Sequence, residues 1–181
     1  MGCVIMLRAS RLLVFITVSG LTCVQAQTPS EYQLKAAIIY NFSKFVDWPS
    51  RAGTDPSQPL VIGILGDDPF GREIDGVIYG KTANGRRLVI KRFSNLRDLS
   101  PCHILFVSSS QKNNLKQIFD SVAGSGVLTV GETDRFAEAG GVINLNIIDG
   151  KVHLIINQAA AERAGLRISA KLLGLAQVIR K

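Results

Sequence analysis

The chain has 181 residues, with 21 Lys and Arg against 14 Asp and Glu, and a hydrophobic share of 46%. That balance excludes a disordered or low-complexity polypeptide and fits a chain able to bury a core of ordinary size. The formal charge of +7 comes from scattered residues. "GRRLVIKRF" is the one basic cluster and sits on an apparent strand, so no nucleic-acid partner is expected.

In chain order, Arg8 and Arg11 precede the apolar run "LLVFITVSGLTCV", and "VQA" then places small residues at Val24 and Ala26. The pattern is that of a secretory signal peptide over residues 1–26, with cleavage expected after Ala26. The apolar run falls short of the roughly 20 residues that span a bilayer. Cleavage would leave residues 27–181 as a single domain carrying a net charge of +5. It would also remove Cys3 and Cys23, leaving Cys102 unpaired and no intramolecular disulfide. Because Cys102 precedes "HILFV", burial at the start of a strand is expected.

"SEYQLKAAIIYNFSKFVDWP" opens on Ser30, a good N-cap, and has apolar residues at 34, 38, 42 and 45 with a second set at 37, 40 and 48. That spacing predicts a helix. Pro49 disfavours the α conformation at Trp48, so the helix should end there or a residue or two earlier. Two apolar faces exceed what one sheet-packing stripe needs. Tyr40, Phe42, Phe45 and Trp48 therefore either complete the core or form a partner-docking surface. "SRAGTDPSQP" reads as a linker.

From Leu60 onward, short apolar runs alternate with capped amphipathic segments. Strands are predicted at "LVIGILG", "RRLVIKRF", "HILFVS" and "VLTVG". Helices should begin after Asp68, after Ser109 or Ser110, and after Thr133 or Asp134, with a shorter turn from Ser94. "GVINLNI" and "KVHLIIN" flank Asp149-Gly150, a strong hairpin signal. The remainder reads as a short helix stopped at Gly165 and a second helix capped by Ser169. The predicted fold is α/β, a three-layer α/β/α sandwich with a mostly parallel sheet and a C-terminal antiparallel hairpin.

Ligands in open α/β sheets sit outside the carboxyl ends of the strands. Those ends offer Asp67, Ser108 and Glu132 as a candidate ligand pocket, although serine, threonine and aspartate at such junctions also serve simply as helix caps. "GDDPFGRE" has two glycines spaced as in a phosphate loop but lacks the lysine and hydroxyl that should follow. Two histidines, His103 and His153, cannot build a zinc site of the usual spacing. Cys102 and His103 are neighbours on a strand, so they point to opposite faces. No nucleophile elbow is present, and no catalytic residue, metal or cofactor is predicted.

The segments "EYQLKAAIIYNFSKFVDWP", "IGILGDDPFG", "CHILFVS" and "GGVINLNIIDGKVHLIINQAAAERAGLRISAKLLGLAQVI", in this order from Glu31 to Ile179, resemble the YfiR family of bacterial periplasmic proteins. The resemblance implies a non-enzymatic regulator that binds and represses the sensory region of an inner-membrane diguanylate cyclase, lowering cyclic di-GMP and biofilm formation. It also implies an α/β/α fold, a homodimer, and sequestration of the repressor by an OmpA-like outer-membrane lipoprotein. Better-known members carry a cysteine where Gly63 stands, paired with the counterpart of Cys102, and a second disulfide further on. Neither has a counterpart here, so redox control does not carry over to this chain. The competing reading is a periplasmic small-molecule sensor module acting on another membrane partner. A hydrolase would need a clustered nucleophile and base that the sequence does not display.

Overall fold

Ser30 starts the first helix with a reciprocal cap. Its hydroxyl accepts from the Gln33 backbone N–H at 3.1 Å, and the Gln33 side chain accepts from the Ser30 N–H at 3.1 Å. A computed structural model describes residues 29–49 and 58–181. The expected signal peptide and most of the linker call lie outside the described residues.

The elements run in the order α1 (Glu31–Phe45), β1 (Val46–Asp47), β2 (Leu60–Leu65), α2 (Arg72–Ile78), β3 (Thr82–Ala83), β4 (Arg86–Phe93) and β5 (Ile104–Val107). Then come α3 (Leu115–Ser121), β6 (Leu128–Gly131), β7 (Ile143–Ile148), β8 (Lys151–Asn157), α4 (Gln158–Arg163), β9 (Arg167–Ile168), α5 (Ala170–Leu173) and β10 (Gln177–Ile179). Short 3-10 turns occupy Leu96–Asp98 and Ser109–Asn114.

Eight strands form one sheet in the order β10-β8-β7-β6-β5-β2-β4-β3. Pairing is parallel except between β7 and β8 and between β3 and β4. β2 lies between β4 and β5 and is buried at all six positions, which is why "LVIGIL" is apolar without alternation. Leu60, Ile62 and Ile64 face a core shared with α1, α2, α4 and α5, while Val61 and Leu65 face a second core with α3 and Phe136. This is the three-layer α/β/α arrangement, mostly parallel with an antiparallel hairpin, that the sequence predicts.

Five local expectations are corrected. Asp68 does not cap a helix: its carboxylate accepts from the Phe70 N–H at 2.8 Å and holds a turn, and α2 begins only at Arg72. Residues 134–140 are turns rather than a helix, because Arg135 adopts a φ of 59° that breaks any helical run. The turn foreseen from Ser94 is capped by Asn95, and where a helix was foreseen after Ser109 or Ser110 a 3-10 turn capped by Ser108 comes first, with α3 beginning only at Leu115. The final helix stops at Leu173, and Gln177–Ile179 instead forms β10, parallel to β8.

The exit from α1 comes slightly earlier than Pro49 alone requires. Val46 and Asp47 turn extended because they pair antiparallel with Ile168 and Arg167. The helix buries Ala36, Ile39 and Phe42 most deeply. Leu34, Ile38 and Phe45, three of the four positions of the foreseen main stripe, are only half-buried. The stripe read from the sequence is therefore rotated from the true core face.

Candidate functional site

The aromatic residues Tyr40, Phe42, Phe45 and Trp48, the last of them beyond the end of α1, take different roles. Phe42 is 1% exposed and packs in the core, and it also lines the groove described below. Trp48 is half-buried: its indole N–H donates to the His103 carbonyl at 3.0 Å, and its ring meets the imidazole edge-on at 6.1 Å. It fastens the end of α1 to the start of β5. Tyr40 donates to the Thr82 carbonyl at 3.3 Å, and Phe45 remains partly open beneath the Lys171 ammonium, 5.3 Å from its ring centre.

Phe45 lines a groove of about 380 Å³ together with Ile38, Val152, Leu154, Leu172 and Leu175. α1, β8 and the α5 region each contribute one wall. The groove is apolar at its floor and open at its mouth, where Leu175 is 72% and Val152 41% exposed. Two exposed apolar side chains thus sit together beside the partly open Phe45 ring.

The strand ends hold a different arrangement from the foreseen pocket. Gly66 follows β2 with a φ of 93°, and a side chain there would meet the Ser110 hydroxyl at 2.4 Å. The Asp67 N–H donates to that same hydroxyl at 3.0 Å. The crevice at this point is filled by the turn itself. Ser108 is 3% exposed and caps the 3-10 turn, while the Asp67 side chain faces solvent. Glu132 lies after β6 and is bound to Lys35. Among the described residues, the groove and the cavities beside Phe119 and Ala160, beside Asn95 and Gln117, and beside Cys102 are not lined by Asp67, Ser108 or Glu132.

Sequence reasoning missed Lys35. This lysine is 3% exposed, and its ammonium lies 2.7 Å from Glu132 and 2.5 Å from Glu31. Burial alone would depress its pKa, but the hydrogen bonds to Glu132 and Glu31 outweigh that and hold it above the ordinary 10.5. The available signal was spacing: 35, 39 and 42 fall on one helical face with two large apolar residues. Tyr32 stacks edge-on against Phe70 at 5.5 Å, and burial followed by the Glu132 charge raises its pKa. The first turns of α1 thus reach the carboxyl end of β6.

Cys102 is 8% exposed, and burial pushes its pKa up to about 12, against a smaller opposing effect of Lys91. Iodoacetamide at pH 8 should therefore label the native protein far more slowly than the urea-unfolded chain, as followed by mass spectrometry. A side chain built at Gly63 would place its Cβ 3.3 Å from the Cys102 sulfur, but also 2.9 Å from the Phe93 ring. Gly63→Cys should therefore oxidise to a disulfide with Cys102, detected by loss of free thiol. The closed loop favours a gain of roughly 4 kcal/mol. Displacing Phe93 takes back about 1–3 kcal/mol.

Among the described residues no group of three or more His, Cys, Asp and Glu is placed to hold a metal ion, and no helix is long and apolar enough to cross a membrane. Ser108 caps a turn, Glu132 pairs with Lys35 and the Asp67 side chain is exposed, on a fold of the α/β class. The chain belongs to the YfiR/HmsC-like family, whose model matches residues 32–177. That family is regulatory rather than catalytic and periplasmic.

Proposed function

We propose that this protein is a periplasmic repressor, exported by a signal peptide ending at Ala26, that docks on the sensory region of an inner-membrane diguanylate cyclase and lowers cyclic di-GMP. The observation that carries this reading is the open apolar groove beside Phe45 in a chain of the YfiR/HmsC-like family. The docking surface is assigned to Phe45 with Val152 and Leu175; Tyr40 lies outside that lining. Trp48 supports it by fixing the end of α1. The rest of the reading follows the family: a homodimer, released from the cyclase when an OmpA-like outer-membrane lipoprotein sequesters it.

Deletion of the gene should raise cellular cyclic di-GMP several-fold and increase biofilm, with restoration by the wild-type copy. Unchanged cyclic di-GMP in the deletion strain would sink the cyclase assignment. The alternative of a small-molecule sensor at Asp67, Ser108 and Glu132 has no specific structural observation in its favour, since these side chains are engaged or apart. A ligand screen by thermal shift addresses it directly, because a molecule bound only by the native state raises the melting temperature.

A further inference from the structure

The edge of the sheet beyond β4 carries a second surface, remote in composition from the groove. Tyr79 ends α2 and is 89% exposed, the most exposed large hydrophobic side chain among the described residues. The turn continues through Gly80, with a φ of 67°, to Lys81, whose N–H donates back to the Ile78 carbonyl at 2.9 Å. Across from it, the Tyr40 ring is approached by two ammonium groups, Lys44 at 4.0 Å and Lys81 at 6.0 Å from its centre.

Neither lysine forms an ion pair with a described residue. The nearby acids are occupied elsewhere: Asp75 pairs with Arg92 at 2.7 Å, and Glu73 accepts from the Ser30 hydroxyl at 2.6 Å. Asp47, close to Lys44 in sequence, makes no ion pair with it. Two like charges held over one ring, beside a bare tyrosine, call for an anionic counterpart.

Shape decides which anion. None of the four cavities is lined by Tyr40, Lys44, Tyr79 or Lys81, so the turn is a projection rather than a recess for a small molecule. Adding a partner strand is also poorly served, because β3 is two residues long and the Thr82 carbonyl already accepts from Tyr40. A flat, fluid, negatively charged surface fits a projecting tyrosine flanked by lysines, since tyrosine prefers the bilayer headgroup level and lysines add electrostatic attraction.

We propose that the Tyr79–Lys81 turn, with Tyr40 and Lys44, rests this protein on the headgroups of an anionic phospholipid bilayer. The contact is independent of the cyclase groove, and it keeps the protein close to a membrane whether or not a protein partner is engaged.

The test is co-sedimentation of the purified protein with vesicles of phosphatidylethanolamine and phosphatidylglycerol, and with neutral phosphatidylcholine vesicles. The wild type should sediment with the anionic vesicles only, and 0.5 M salt should release it. Lys44→Gln combined with Lys81→Gln should lower the partition about thirtyfold, and Tyr79→Ala several-fold, with unchanged circular dichroism. No sedimentation with anionic vesicles, equal sedimentation with neutral ones, or folded variants that bind as well as wild type would each overturn the proposal. So would capture by a polyglutamate peptide without any vesicle binding, which would assign the patch to an acidic protein. Because purified lipid replaces the cyclase, failure here leaves the groove assignment standing, and failure of the groove leaves this one.

Discussion

Glu132→Ala should lower the melting temperature by about 6–12 °C, the shift expected for roughly 3 kcal/mol in a chain of this size. The side chains of Lys35 and Glu132 are 4% and 9% exposed, so removing the carboxylate leaves a buried ammonium with Glu31 as its remaining ion-pair partner. Glu31 is half in solvent, which keeps the loss at the lower end of what broken buried pairs cost. Replacing both members at once, Lys35→Met with Glu132→Leu, should bring the melting temperature back near wild type, because neither desolvated charge is left behind. A shift below about 2 °C for Glu132→Ala in scanning calorimetry would show that the pair contributes little. The sign of the pH dependence follows from the same contacts. Lys35 has a raised pKa in the fold, so its contribution is complete below the ordinary value and is lost as pH climbs through the raised one. Melting temperature should therefore hold across neutral pH and fall above about pH 10.5, and the double apolar variant should show a smaller alkaline fall.

Leu175→Asp separates binding from folding. With 72% of its surface already exposed, this leucine has little to lose on substitution, and its melting temperature should stay within about 2 °C of wild type. At the mouth of the groove, a charge should weaken capture of the membrane cyclase by about thirtyfold, the scale of a removed central anchor. Cyclic di-GMP in a strain carrying only this variant should approach the level of the deletion. Capture at wild-type strength by a folded Leu175→Asp protein would mean that the partner docks elsewhere. Phe45→Ala is the less clean test, because this half-buried ring packs against the core as well as lining the groove.

Much of the fold was legible locally. Ser30 with Gln33, the uninterrupted "LVIGIL" and "ILFV" runs, and Asp149-Gly150 each specify an element through nearest neighbours in the chain. The misses share a physical cause in tertiary pairing. "QVI" continues a helical pattern until β8 offers it a strand to pair with, and Val46–Asp47 leaves the helix because Arg167–Ile168 is there to receive it. Asp68 looked like a cap, but its second oxygen is held by Arg92 at 2.6 Å. The groove was legible only in part. The surplus apolar face of α1 pointed to Phe45, but Val152, Leu154, Leu172 and Leu175 come from segments whose meeting no local pattern announces. Lys35 was hidden by a habit of reading, since a lysine four residues after a glutamate usually decorates a helix surface.

The pairing of β1 with β9 has a consequence for the order of events in synthesis. The strip that ends the first helix is clamped by residues made near the end of the chain, and β8 gains its outer neighbour only when β10 follows. A polypeptide still leaving the ribosome lacks both fasteners. Long-range closure of this kind delays folding. Both pairings can form only after the C-terminal residues have been made.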